Sequence, residues 1–154
     1  MKLQEEKYSC LPAALRAALY SLGHKVSEFT IRKIAGTTEE GTDEQGAIKA
    51  IKYYGHTAKE FESTSYKEAW AWLRSCLENG RPVLMCSDKW NHWVTGTAIF
   101  GAKTWIFDPD STTPSRKNRY SGLELYSKRK WMRRWRYCPK DSNKCIYYAI
   151  CITT

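Results

Sequence analysis

From Cys10 onward apolar residues recur at helical spacing. Leu11, Ala14, Leu15, Ala18, Leu19 and Leu22 fall on one face, Pro12 sits in the first turn where it is tolerated, and Gly23 supplies a stop. The spacing predicts a helix buried along that face. A shorter helix is expected over 28–35 after Ser27, and another over 43–54, where Thr42 and Gln45 read as a capping box and Gly55 ends the run. A fourth opens at Ser65 with Glu68, carries Trp70, Leu73 and Leu77 on one face, and closes at Gly80. His24 and His56 each follow a helix-ending glycine and are expected to be solvated loop residues.

After Pro82 the texture changes. Val83 to Cys86, Trp93 to Phe100 and Thr104 to Phe107 are β-branched or aromatic runs that predict strands. Gly101-Ala102-Lys103 reads as a hairpin loop between the last two, which brings His92 at one strand's start near Asp108 at its partner's end. Residues 111–122 predict a polar loop, 127–136 a basic helix and 145–152 a final strand. Helices first and antiparallel strands later indicate an α+β class, N-terminal helices packed on a C-terminal antiparallel sheet. No repeat or linker divides the chain, so residues 1–154 are expected to form one domain.

Composition narrows the class. A chain of 154 residues, 42% hydrophobic with seven Trp and ten Tyr, can build one core without staples, and no window has the run of apolar residues that a membrane helix needs. The segment Met1 to Lys7 lacks the apolar stretch of a secretory signal, so a complete chain is expected in the cytoplasm with no membrane partner. The six cysteines form no Cys-x-x-Cys pair and are expected to be reduced thiols, all but Cys10 serving as small buried hydrophobes. No metal and no other cofactor is expected.

The candidate chemistry is that of a thiol hydrolase. Cys10 stands at a predicted helix N-terminus, where free backbone N–H groups and the helix dipole favour a thiolate. His92, set among Trp90, Asn91, Trp93 and Val94, is the candidate base. Asp108 is held extended by Pro109 and is the candidate for orienting the histidine, with Asp110 and Asp88 as competing carboxylates. Gln4 supplies an amide donor that would suit an oxyanion hole beside the Cys10 N–H.

In these residues the chain resembles the bacteriocin-processing peptidase family, a papain-like domain that removes double-glycine leader peptides and is often fused to an ABC exporter. The resemblance runs from Gln4 to about Trp135. It rests on Gln-x5-Cys followed by Pro12, Ala13, Ala14 and Leu15, Gly41-Thr42 before a helix, Tyr53-Tyr54-Gly55, Arg81-Pro82-Val83, Asn91-His92-Trp93-Val94, and Ile106-Phe107-Asp108-Pro109. It implies a papain-like fold without the exporter, with Cys10 as nucleophile, His92 as base, Asp108 as orienting residue and Gln4 in the oxyanion hole. Ser9 and Leu11 depart from the family's usual acidic residue and glycine around the cysteine, so double-glycine specificity does not carry over.

The net charge of +9 is uneven: residues 1–100 balance at +1 and residues 101–154 at +8. Lys128 to Arg136 holds six cations with Trp131 and Trp135 four apart. Arg133, Arg134 and Trp131 are the candidate contacts to a partner, an acidic protein in the first place and nucleic acid as the weaker alternative. Trp93 beside the histidine is the candidate contact to a peptide or protein substrate. The leading function is a cysteine peptidase cleaving a peptide or isopeptide bond. An acyltransferase or deamidase using the same thiol, or a non-catalytic papain-like module binding through the basic C-terminal third, are the alternatives, and the oligomeric state is left open.

Overall fold

The computed structural model describes residues 3–110 and 122–154. Three helices lead: α1 (Cys10–Ser21), α2 (Glu28–Ala35) and α3 (Glu44–Tyr53). Strand β1 (Thr57–Ser63) separates them from α4 (Tyr66–Glu78), after which come β2 (Val83–Ser87), β3 (His92–Phe100), β4 (Lys103–Phe107), β5 (Leu123–Ser127), α5 (Lys128–Trp135) and β6 (Tyr147–Thr153). The six strands form one antiparallel sheet in the order β1-β6-β2-β3-β4-β5.

The helix starts follow their capping chemistry. The Ser27, Ser65 and Ser127 side chains accept from the N–H groups of Thr30, Glu68 and Lys130, satisfying donors that an α-helix leaves free at its first turn. At α3 the expected box is displaced by one residue: Asp43, not Thr42, is the cap and accepts from Gly46 N at 2.8 Å. The Thr42 hydroxyl is bonded instead to Thr37.

Alternation along the strands divides the core into two layers. Leu84, Cys86, Trp93, Ile150 and Ile152 face α1, α2 and α3, while Val83, Met85, Val94, Ala149 and Cys151 face α4 and α5. Trp131 and Trp135 are fully buried in the second layer, so the amphipathic face of α5 is a packing face, and the expected partner contact through Trp131 is corrected. Thr95 on β3 donates to the Ala14 carbonyl of α1 at 2.6 Å, fixing that helix against the sheet.

Three further expectations change, and a fourth falls outside what is described. The strand β1 lies between helices, so the helices do not all precede the sheet. Cys138 and Cys145 form a disulfide in the connection between α5 and β6, so the expectation of six reduced thiols fails for that pair. His24 and His56 are half-buried rather than solvated, with their Nε2 atoms 2.8 Å apart. Gly122 is the one described residue of the expected 111–122 loop; the rest lies outside the described residues.

Candidate active site

The sheet order and the approach of α1 bring the sequence candidates together. Ser9 precedes α1 but does not cap it: its buried hydroxyl accepts from Glu6 N at 2.9 Å and donates to Glu6 O at 3.0 Å. The first turn is therefore left without a side-chain cap at Cys10, a setting that suits an anion there. Leu11 is fully buried, so the bulk that replaces a glycine points into the core and away from the cleft.

His92 opens β3, where its neighbour across the ladder is Ser87. The β3–β4 hairpin, with Phe100 opposite Lys103 and Thr95 opposite Phe107, carries Asp108 back to it. His92 Nε2 lies 2.5 Å from Asp108 Oδ1, leaving the other ring nitrogen for Cys10, whose side chain is within hydrogen-bonding reach of the ring. Burial opposes the imidazolium, but the hydrogen bonds to Asp108 and Cys10 and the charges of both prevail, and His92 is pushed up to about 10. At neutral pH the ring is an imidazolium facing the thiol side.

Asp108 is only 2% exposed, yet it is fully engaged. Besides His92, its Oδ1 accepts from Asp110 N at 3.0 Å, and its Oδ2 accepts from Arg134 Nη2 at 2.7 Å. Burial raises its pKa, and the His92 and Arg134 bonds more than offset that and hold the carboxyl far below the usual carboxylate range. The competing carboxylates take other roles. Asp88 is bonded to Arg134, and Asp110 contributes its main-chain N–H to Asp108.

Arg134 is therefore misread from sequence as a partner contact. Its guanidinium also donates to Tyr126 Oη at 2.7 Å and grips Asp88 through Nε at 3.2 Å and Nη2 at 2.9 Å. Asp88, Lys89 and Trp90 all have φ between 52° and 63°, three non-glycine residues in the left-handed region on the turn that leads into His92. The Arg134 fork holds the first of them and Asp108 at once.

The N-terminal segment is strapped to the same region. Gln4 N donates to Pro109 O at 2.8 Å, and the buried Glu28 carboxylate accepts from Glu5 N at 3.1 and 3.2 Å. The Gln4 amide donates to the carbonyls of Glu6 at 2.8 Å and Lys7 at 3.2 Å, so its donor is turned into its own segment rather than toward the thiol. Its Oε1 is buried without a partner among the described residues.

A second thiol, Cys86, lies beside Cys10, but burial, with Cys10 and Glu44 adding, pushes it well above the ordinary thiol range. Among the described residues no cluster of three or more His, Cys, Asp or Glu is placed to hold a metal, and no helix is long and apolar enough to cross a membrane.

A thiol at an uncapped helix start, a buried His–Asp pair and a sheet of this order meet in one further observation: the Peptidase C39 family model matches residues 1–129. The chain belongs to the peptidase C39 family. Its fold is that of papain-like C39 domains. Over 96% of both chains it is similar to the peptidase domain of Streptococcus ComA, a bifunctional ABC transporter involved in quorum sensing, with a TM-score of 0.66 at 20% identity. A double-glycine-motif protease from an AMS/PCAT transporter, solved in complex with a leader peptide, also superposes with a TM-score of 0.66, at 19% identity over 99% of this chain and 89% of that one. An uncharacterized protein of Methanothermobacter thermautotrophicus is 40% identical over 57 residues, 37% of this chain. The match spans about 40% of that relative's length.

Within this C39 domain the remaining sequence candidates separate. Trp93 is buried on the α1 side of the sheet and lines a cavity there. Arg133 is exposed on α5, on the opposite side, where with Arg129, Arg136 and Tyr66 it borders an open cavity of about 530 Å³. Two contributors were missed from sequence. Glu28 gave no signal because a glutamate in a first helical turn is ordinary; Arg134 was hidden inside a run of like charges.

Proposed function

We propose that this C39 domain is a cysteine peptidase that cleaves a peptide or isopeptide bond through Cys10, His92 and Asp108. Cys10 attacks the carbonyl as a thiolate, and the His92 imidazolium gives its proton to the leaving amine. Water, deprotonated by the then neutral His92, releases the acyl group and restores the ion pair. Asp108 keeps the ring oriented and stabilises its charge. The oxyanion falls to the uncapped N–H groups at the start of α1, and Gln4 adds a donor when its amide turns from the Glu6 and Lys7 carbonyls. The observation that carries this reading is the His92–Asp108 pair with Cys10 on the other side of the ring.

The exposed arginines of α5 support a second, compatible element: recruitment of an acidic protein at a surface apart from the cleft. The nucleic-acid alternative loses its stacking residues, because Trp131 and Trp135 are buried. A peptidyl electrophile tests the chemistry. Selective alkylation of Cys10 among the thiols, abolished by His92→Ala, is the expected result. Indiscriminate labelling, or undiminished substrate cleavage by Cys10→Ala, would overturn the peptidase reading and leave a binding module. Product masses separate hydrolysis from acyl transfer and from deamidation.

A further inference from the structure

On the α1 side of the sheet a cavity of about 340 Å³ opens to solvent, and its walls have a chemistry that the proposed reaction does not use. Trp90, Trp93 and Tyr148 form an aromatic corner, with Tyr148 6.1 Å from Trp90 and 6.4 Å from Trp93 by ring centroids, both at steep angles. Three glutamates stand on the same cavity: Glu60 and Glu62 from β1, and Glu44 from the start of α3. Glu60 accepts from Tyr148 Oη at 2.7 Å, which fixes the carboxylate against the aromatic wall. Among the described residues no lysine or arginine lines this cavity, although the chain as a whole carries +9.

Cys86, on the wall of the cavity, links it to the nucleophile, because it lies beside Cys10. Cys86 and Trp93, both on its lining, belong to the packed layer against which Cys10 rests. Trp93 follows His92 directly, and Trp90 lies on the turn that leads into it. A peptide whose carbonyl reaches Cys10 therefore has a neighbouring side chain within the span of this cavity. Aromatic faces attract a cation through their quadrupoles, and carboxylates at the rim complete its charge. An acidic side chain would meet three like charges there, and an aliphatic one would leave Glu60 and its neighbours without a counter-charge.

We infer that this cavity is a substrate subsite for a cationic side chain, so that the peptides cleaved carry a lysine or arginine within a few residues of the scissile bond. The proposal rests on the peptidase reading and names its substrate class. Its components come from β1, α3, the 88–90 turn and β6, elements far apart in sequence that the sheet order places around one space.

The test is a set of peptidyl electrophiles that share a backbone and carry lysine, norleucine or glutamate at each of the four positions before the electrophile in turn. Labelling of Cys10 is followed as a second-order rate constant. At one position lysine is expected to exceed norleucine by about tenfold and glutamate by more. In Glu60→Gln/Glu62→Gln the lysine-to-norleucine ratio is expected to fall toward one. Binding of the matching electrophile-free peptides to Cys10→Ala, read by tryptophan fluorescence, gives the same comparison without chemistry. A lysine preference in binding with no Cys10 labelling would sink the peptidase reading and keep the subsite. Equal labelling and binding by the lysine and norleucine peptides, or a lysine preference that survives the double substitution, would overturn the subsite and return the glutamates to a solvated rim.

Discussion

Arg134 Nη2 donates to Asp108 Oδ2 at 2.7 Å, so the carboxylate that faces His92 is gripped from behind by the last helix of the chain. The same guanidinium holds Asp88 on the turn before His92, which makes one side chain the common anchor of both ends of the His–Asp pair. Arg134→Gln leaves a buried carboxylate with one partner fewer and frees a turn of three left-handed residues. A loss of about 2 kcal/mol in stability is expected from that charged hydrogen bond. Turnover should fall through kcat more than KM, and Arg134→Lys should recover only part, because a single ammonium cannot reproduce the planar fork that grips Asp88 through two nitrogens while reaching Asp108 and Tyr126. Denaturant unfolding and steady-state kinetics on the three proteins check this; unchanged kcat in Arg134→Gln would remove Arg134 from the site.

The pH dependence follows from His92, whose ring is held up at about 10. A histidine raised above its ordinary value of about 6.5 contributes stability that is fully present below that value and is lost as pH rises through the folded one. Peptide cleavage should hold across neutral pH and fall on an alkaline limb near 10, since the leaving amine then finds no imidazolium proton. Alkylation of Cys10 by a simple haloacetamide needs no proton donor and should not fall on that limb. Thermal unfolding between pH 7 and 10 should show the matching loss, absent in His92→Gln. Asp108, held far below its usual range, contributes stability that is present above the ordinary carboxylate pKa and lost only in strong acid.

Asp108→Asn should retain the attacking atom yet lose roughly two to four orders of magnitude in kcat, because His92 loses both its orientation and its counter-charge. Asp110→Asn leaves in place the main-chain N–H that Asp108 accepts and should cost far less. A reversal of that order in measured kcat would identify the wrong carboxylate.

Gly122 adopts φ +61, and its carbonyl accepts from Asp108 N at 2.9 Å. A Cβ there would lie 2.6 Å from the Phe107 ring and 2.9 Å from the Asp108 carbonyl. Gly122→Ala is expected to cost about 1–3 kcal/mol and to lower kcat by shifting Asp108. Thermal melts and kinetics read the two effects separately; an unperturbed melt would show that the turn yields without strain.

Arg129, Lys130 and Arg133 are exposed cations of α5 and Arg136 follows at its end, with Arg134 set apart by its bonds to Asp88 and Asp108. Replacing Arg129 and Arg133 by Glu should weaken cleavage of an acidic protein substrate and flatten its salt dependence, while cleavage of a short neutral peptide hardly changes. The comparison is kcat/KM for both substrates at low and high salt. Equal loss on both would place α5 in folding or in the cleft.

What the chain declared by itself were features written in neighbouring residues. Ser27 and Ser65 marked their helices because capping is a contact across three residues, and the hairpin from His92 to Asp108 was legible because its loop is short. The strands β1 and β5 were not legible, since both are sheet edges whose residues stay half exposed and carry too few apolar positions to mark a strand. Cys10, His92 and Asp108 could be named from residue type and order. That Arg134 belongs with them, that Trp131 and Trp135 do not face a partner, and that Glu44, Glu60 and Glu62 share one cavity with Trp90, Trp93 and Tyr148 were decided by packing. Strand β6, last in the chain, inserts between β1 and β2, and α5 seats its tryptophans beneath the sheet. Such pairings satisfy backbone bonds and bury apolar area between segments far apart, and a local pattern of residues holds no record of which distant partner it will meet.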